Sequence, residues 1–124
     1  MQFLMNFGLL SLFAVVVSAG ASKFADTCHN INGSGTTLRA DCREFENGQF
    51  RSTTLDVNRC LKNNKGKLQC KKNGKYSGSC INCTLRGHSE FECECRNAKG
   101  GHPYVRTTID LNKCISNNHG ELGC

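Results

Sequence analysis

The sequence predicts a small, strand-rich fold stapled by disulfides and built from two tandem repeats. Three observations carry this. The chain has 124 residues, of which 38% are hydrophobic, 10 are cysteines and none is tryptophan. So thin an apolar complement needs covalent support, and an even number of cysteines in a small chain supplies it. The chain also repeats itself. STTLDVNRCLKNNKGKLQC at 52–70 and RTTIDLNKCISNNHGELGC at 106–124 are identical at ten of nineteen positions. Four further positions exchange conservatively, at Leu55/Ile109, Val57/Leu111, Arg59/Lys113 and Leu61/Ile115. Finally, both copies open on alternating, β-branched residues and close on Asn-Asn-x-Gly, the pattern of a strand followed by a tight turn.

The N-terminus reads as a signal peptide over residues 1–21. Phe7–Val17 is almost wholly apolar and Ala19-Gly20-Ala21 offers a small-residue cleavage site. A retained anchor would need an uninterrupted apolar span of about 20 residues. The mature chain, 22–124, is then a secreted single domain without membrane insertion. Its formal charge of +6 is scattered, and no basic run exceeds two residues, so it carries no nucleic-acid signature.

Within that domain the repeats run near 23–72 and 75–124. Phe24-Ala25-Asp26-Thr27-Cys28 matches Tyr76-Ser77-Gly78-Ser79-Cys80, and Cys42-Arg43 matches Cys95-Arg96. Thr53–Val57 and Thr107–Leu111 read as strands. Asn58 and Asn112 read as caps of short helical turns that contain Cys60 and Cys114. Asn63–Gly66 and Asn117–Gly120 follow as turns whose residues tolerate positive φ, with Leu68 and Leu122 on short strands behind them. Lys71–Lys75 is polar and contains Asn-Gly, so it reads as a linker or turn between the repeats.

Sequence alone leaves the cysteine connectivity open, but equivalent halves should pair equivalently. The economical assignment is Cys28–Cys42, Cys60–Cys70, Cys80–Cys95 and Cys114–Cys124. Cys83 and Cys93 are extra to the second repeat and pair if their segment is a hairpin. A zinc site at Cys80-x-x-Cys83 and Cys93-x-Cys95 is disfavoured, because the spacer is short and an oxidising compartment pairs thiols. No cofactor or metal is expected. Asn32-Gly33-Ser34 and Asn82-Cys83-Thr84 are glycosylation sequons, the second compromised by its cysteine.

In its ordered set of features, present twice, the chain resembles the cyanovirin-N homologue (CVNH) lectins. The features are Lys23–Cys28, Cys42, Leu55-Asp56-Val57-Asn58 and Asn63–Leu68, with second-repeat copies ending at Cys124. The extra bridges resemble those of the more heavily bridged secreted members. The resemblance implies an all-β fold of two pseudo-symmetric halves, each combining the start of one repeat with the closing hairpin of the other. It also implies a lectin for α1,2-mannose on high-mannose glycans and glycoproteins, with up to two sites at opposite ends.

Carried onto this sequence, the first site comprises Lys23, Asp26, Thr27, Arg43, Glu44 and Phe45, with Asn117, Asn118, His119 and Gly120. The second comprises Lys62, Asn63, Asn64 and Lys65, then Gly74, Lys75, Gly78 and Ser79, with Arg96, Asn97 and Ala98. Clustered amides, carboxylates and hydroxyls suit a neutral sugar. The family often has an acidic residue before the turn glycine, where this chain has Lys65 and His119. Gly78 stands where a polar side chain is usual, so the first site is expected to dominate.

Asp26 and Glu44 could be cast as a glycosidase pair, but that chemistry needs a deep cleft that tunes one carboxyl, for which so small a repeat has little room. Enzyme activity is not expected. The alternative reading is a basic, disulfide-rich defence or effector protein acting on membranes or cell walls. A protease inhibitor would need a single rigid bait loop. Halves that exchange hairpins can exchange them between chains, so a monomer or a domain-swapped dimer is expected, with Lys71–Lys75 as its hinge.

Overall fold

A computed structural model of the chain describes residues 23–46, 48–98 and 103–124. The predicted signal peptide lies outside the described residues. The fold is all-β, and among the described residues the helical content is four single 3-10 turns. Among the described residues the first repeat contributes η1 (Phe24–Asp26), β1 (Cys28–Ser34), β2 (Thr37–Arg43), β3 (Phe50–Asp56), η2 (Val57–Arg59), β4 (Leu61–Asn64) and β5 (Lys67–Cys70). The second contributes η3 (Tyr76–Gly78), β6 (Cys80–Arg86), β7 (Glu90–Arg96), β8 (Tyr104–Asp110), η4 (Leu111–Lys113), β9 (Ser116–Asn118) and β10 (Glu121–Gly123).

Each repeat forms a three-stranded antiparallel sheet, β1-β2-β3 or β6-β7-β8, and a separate hairpin, β4-β5 or β9-β10. The hairpins do not stay at home. β10 packs on β3 of the first repeat, and β5 packs on β8 of the second. Two threonines stitch this exchange. Leu122 N donates to Thr53 Oγ1, and Leu68 N donates to Thr107 Oγ1, each at 3.1 Å. Hairpin exchange is what lets the two thin sheets share one core. Phe24, Leu38, Leu55, Val57 and Leu61 from the first repeat cluster with Tyr76, Phe91, Leu111, Ile115 and Leu122 from the second. Among the described residues no polar or charged residue is buried with them. Tyr76 meets Phe91 edge-on, with ring centroids 5.5 Å apart.

The disulfides correct the sequence reading in two places. Cys28–Cys42, Cys80–Cys95 and Cys83–Cys93 form across the sheets as expected. The predicted Cys60–Cys70 and Cys114–Cys124 do not. Instead Cys60 pairs with Cys124 and Cys70 with Cys114, across 64 and 44 residues of chain. Repeat symmetry cannot choose between the parallel and the crossed pairing, since both map onto themselves. Each hairpin end stays beside its own 3-10 turn, with Cys70 opposite Leu61 in the β4–β5 ladder, and it is the exchange that brings the other repeat's cysteine within bonding distance.

The turn caps are also corrected. Asp56 and Asp110, not Asn58 and Asn112, cap η2 and η4, accepting from the backbone N of Asn58 and Asn112 at 3.0 Å. A carboxylate one residue before the turn reaches the second free N–H. That frees the asparagine side chains to bond the other repeat. Asn112 Oδ1 accepts from Ala25 N, and Asn58 Oδ1 from Ser77 N, each at 2.9 Å.

The strands expected at Thr53–Val57 and Thr107–Leu111 start earlier and end one residue sooner. Val57 and Leu111 turn inward on η2 and η4 instead. Lys71–Lys75 is no loose linker. Lys71, Asn73 and Lys75 donate their backbone N–H groups to Cys60, Arg59 and Asn58 respectively, at 2.8–2.9 Å. Gly74 lies so close to Leu61 O that a Cβ there would collide with it.

Candidate functional site

Of all the side chains that join the halves, Asn117 does most to shape a cleft. Its amide Nδ2 donates to Thr27 Oγ1 and to the carbonyl of Arg43, both at 2.9 Å. Its Oδ1 accepts from Gly120 N at 2.7 Å, which closes the β9–β10 turn over it. One amide thereby fixes three segments: the end of η1, the end of β2 and the turn of the opposite repeat. His119 sits in that turn at φ 53°, and its Nδ1 lies 3.3 Å from Glu44 O. Gly120, at φ 92°, is required there: a Cβ would lie 2.8 Å from Glu44 Cγ.

The result is an open cleft of about 510 Å³ lined by Lys23, Thr27, Arg43, Glu44, Phe45, Glu46, Asn117, Asn118 and His119. Eight of these nine were expected from the sequence. Lys23 is held by its bridge to Ile115. Of the other two expected residues, Gly120 lies beneath the turn and Asp26 is exposed on η1 beside the cleft. Glu46 was missed. It ends a run of Glu44-Phe45-Glu46 directly after Arg43, and the charge pattern of that run is the signal that could have found it. Phe45 is 64% exposed, and its ring lies 5.1 Å from that of His119, so the cleft has an aromatic wall open to solvent.

The same clamp recurs at the other end. Asn63 Nδ2 donates to Ser79 Oγ at 3.0 Å and to Arg96 O at 2.9 Å, and Asn63 Oδ1 accepts from Gly66 N at 2.7 Å. Asn63, Ser79 and Arg96 are thereby brought together, and Lys62 precedes Asn63 on β4. Asn64 and Lys65 form the exposed turn, with Lys65 at φ 53° matching His119. Gly74 and Lys75 sit at the repeat junction, Lys75 in the left-handed region before η3.

The two ends differ in detail. Where the first has Asp26 the second has Gly78, and a Cβ built there meets nothing within 4 Å. Arg96 is drawn onto Tyr104, 3.2 Å from its hydroxyl. Asn97 donates its N–H to Pro103 O at 2.8 Å, and Ala98 borders residues 99–102, which lie outside the description. Beneath this end Tyr76 is buried, and burial first, then the charge of Asp56, pushes its phenol up to about 12.

All ten cysteines are bridged. Among the described residues no group of three or more His, Cys, Asp or Glu is placed to hold a metal ion, and no helix is long and apolar enough to cross a membrane.

Comparison with known proteins agrees with this geometry. A family model described as the CVNH domain matches residues 24–123. The CVNH protein of T. borchii is 32% identical, with a TM-score of 0.65 over 82% of this chain and 97% of that one. The Gibberella zeae CVNH is 25% identical, with a TM-score of 0.70 over 82% and 96%. Microvirin, solved as a complex with mannobiose, is 27% identical, with a TM-score of 0.64 over 82% and 96%. The match to the family model spans both sheets, both exchanged hairpins and both asparagine clamps, and the chain belongs to the CVNH domain family.

Proposed function

We propose that this protein is a secreted lectin that binds mannose-type oligosaccharides through the cleft around Asn117. The observation that carries the reading is that cleft. It is a shallow concave surface in which hydroxyl, amide, carboxylate and cationic groups converge, several of them fixed by hydrogen bonds before any ligand arrives. A neutral sugar presents several hydroxyls at once, and it is bound well only where donors and acceptors are already positioned, since each group ordered on binding costs entropy. Microvirin's complex with mannobiose supports the choice of mannose.

The surface around Asn63 repeats the clamp and serves as a second, weaker site. It lacks the carboxylate that Asp26 provides at the first, and its arginine is engaged by Tyr104. With two sites at opposite ends one molecule can bridge two glycans, so binding to a glycoprotein exceeds the single-site affinity. The reading is one of binding without catalysis and without a cofactor, by a monomer whose N-terminal segment directs secretion.

Calorimetric titration of the mature chain tests the sugar reading. α1,2-Dimannose should bind, with the Asn117→Ala variant losing most of the heat. Equal binding of dimannose by wild type and the Asn117→Ala variant would remove the cleft from the proposal. Secretion is tested by the N-terminal sequence of protein recovered from the medium of an expressing eukaryotic cell, which should begin near Ser22.

A further inference from the structure

The exchange of hairpins creates a second kind of cavity, one at each place where a hairpin lies across the opposite sheet. Where β9–β10 crosses β3, a groove of about 710 Å³ opens, and its lining includes Arg51, Arg59, Lys72, Asn73, Asn118 and Glu121. Where β4–β5 crosses β8, the equivalent groove is about 630 Å³. The fold builds both, so the second serves as an internal control for the first. Its charged side chains balance: Lys67 and Lys113 against Glu90 and Asp110.

The first groove does not balance. Three cations face the single side-chain acid Glu121. Thr54 and Thr108, Leu55 and Ile109, and Arg59 and Lys113 are equivalent pairs. The linings differ in several places: Arg51 stands where the other repeat has the apolar Val105, Lys72 comes from the junction that follows only the first repeat, Glu121 stands where the other hairpin has Lys67, and Glu90 and Asp110 have no acidic counterpart in the lining of the first groove. Among the described residues the ion pairs join Arg86 and Arg106 to Glu92, and none of the three groove cations takes part. Unneutralised cations gathered in one concave place repel one another, and an anion relieves that repulsion.

The groove adjoins the sugar cleft. Asn118 lines both, and Arg51 packs under the turn glycine, its Cδ 3.3 Å from where a Cβ of Gly120 would be. We propose that the groove is a subsite for an anionic substituent, a phosphate ester or another oxyanion, carried on a glycan whose neutral end occupies the Asn117 cleft. Arginine suits this task because its planar fork meets two oxygens of an oxyanion at once. The inference rests on the sugar-binding reading above, and it makes the preferred ligand an acidic oligosaccharide rather than a neutral one.

The test uses the mature chain labelled with ¹⁵N and three probes: a neutral α-mannose oligosaccharide, the same oligosaccharide bearing a phosphate monoester, and inorganic phosphate. At low ionic strength the phosphorylated sugar should bind about fivefold tighter than the neutral one, or better, and should shift the amides of Ser52 and Asn73 as well as those of the cleft. The advantage should shrink with added salt and vanish in the Arg59→Gln/Lys72→Gln variant. That variant keeps the backbone bond from Asn73 N to Arg59 O and should bind the neutral sugar as wild type does.

Equal affinity for both sugars, with no groove shifts, would overturn the subsite and leave the neutral-sugar reading intact. Inorganic phosphate binding as tightly as the phosphorylated sugar would overturn the coupling, making the groove a site for free anions. Failure of the neutral sugar to bind anywhere would bring down the lectin reading and this inference with it.

Discussion

Asn117 and Thr27 stand 90 residues apart in the chain and 2.9 Å apart in space, the amide of one donating to the hydroxyl of the other. Asn63 and Ser79 repeat the relationship at the other end, at 3.0 Å. These contacts bind an exchanged hairpin to the repeat it has joined, and they fix the polar rim of the cleft.

Removing the clamp should therefore cost stability and binding together. Asn117→Ala leaves Gly120 N, Thr27 Oγ1 and Arg43 O without their partner, a loss of about 1–3 kcal/mol by denaturant titration. Dimannose affinity at the first site should fall by more than about tenfold, since each 1.4 kcal/mol is a factor of ten. Asn63→Ala should destabilise comparably while leaving the first site's affinity unchanged. A variant in which stability falls and first-site affinity does not would separate the two roles.

The missing carboxylate at the second end can be supplied. Gly78 occupies the position of Asp26, and a Cβ there meets nothing within 4 Å. Gly78→Asp should leave stability unchanged to within about 0.5 kcal/mol. It should raise second-site affinity by about tenfold through a charge-assisted hydrogen bond to a sugar hydroxyl. Two-site calorimetry on an Asn117→Ala background reads this directly. An unchanged second site would mean that the weakness there lies elsewhere, with Arg96 and Tyr104 next in line.

The crossed bridges make oligomeric state visible on a gel. In a dimer swapped at Lys71–Lys75, Cys60–Cys124 and Cys70–Cys114 would join different chains, so such a dimer would survive denaturant and dissociate only on reduction. A monomer should instead give proteolytic peptides linking Cys60 to Cys124 and Cys70 to Cys114 within one chain. Peptides linking Cys60 to Cys70 would contradict the exchange. Replacing Cys60 and Cys124 by serine should cost about 3–4 kcal/mol, the entropy of the loop they close.

Tyr76 predicts an alkaline transition. Its folded phenol titrates near 12, against the ordinary value of 10.0. Between those values the unfolded chain has lost the proton and the folded one has kept it, so stability falls as pH rises. The contribution is fully present below pH 10 and is lost on approaching pH 12. Thermal unfolding followed over that range should show this slope in wild type and a weaker one in Tyr76→Phe, which keeps the ring packed on Phe91. Identical slopes would place the alkaline sensitivity in other groups.

How much of this was legible in the sequence depends on the kind of contact. The repeat, the strands before Asp56 and Asp110, and the Asn-x-x-Gly turns are local signals and read correctly. The cleft residues were legible because the family resemblance supplied the exchange that brings Asn117 to Thr27. Two of the five expected cysteine pairs, Cys60–Cys70 and Cys114–Cys124, failed for an instructive reason. Spacing is local and symmetry is indifferent, whereas the choice between Cys70 and Cys124 as partner of Cys60 is made by tertiary exchange. The same holds for Asn58 and Asn112: their position suggested caps, but Asp56 and Asp110 fill that role and the asparagines reach the other repeat. The basic groove left no trace at all, because Arg51, Arg59 and Lys72 are scattered in sequence and gathered only when the β9–β10 hairpin crosses β3.

The most direct test of the central claim is a titration of α1,2-dimannose into the ¹⁵N-labelled mature chain, followed by amide shifts. The account predicts shifts at Thr27, Glu44 and Asn117–Gly120 at low sugar, then a weaker set at Asn63–Gly66, Ser79 and Arg96. No shift in either set at millimolar sugar would contradict it.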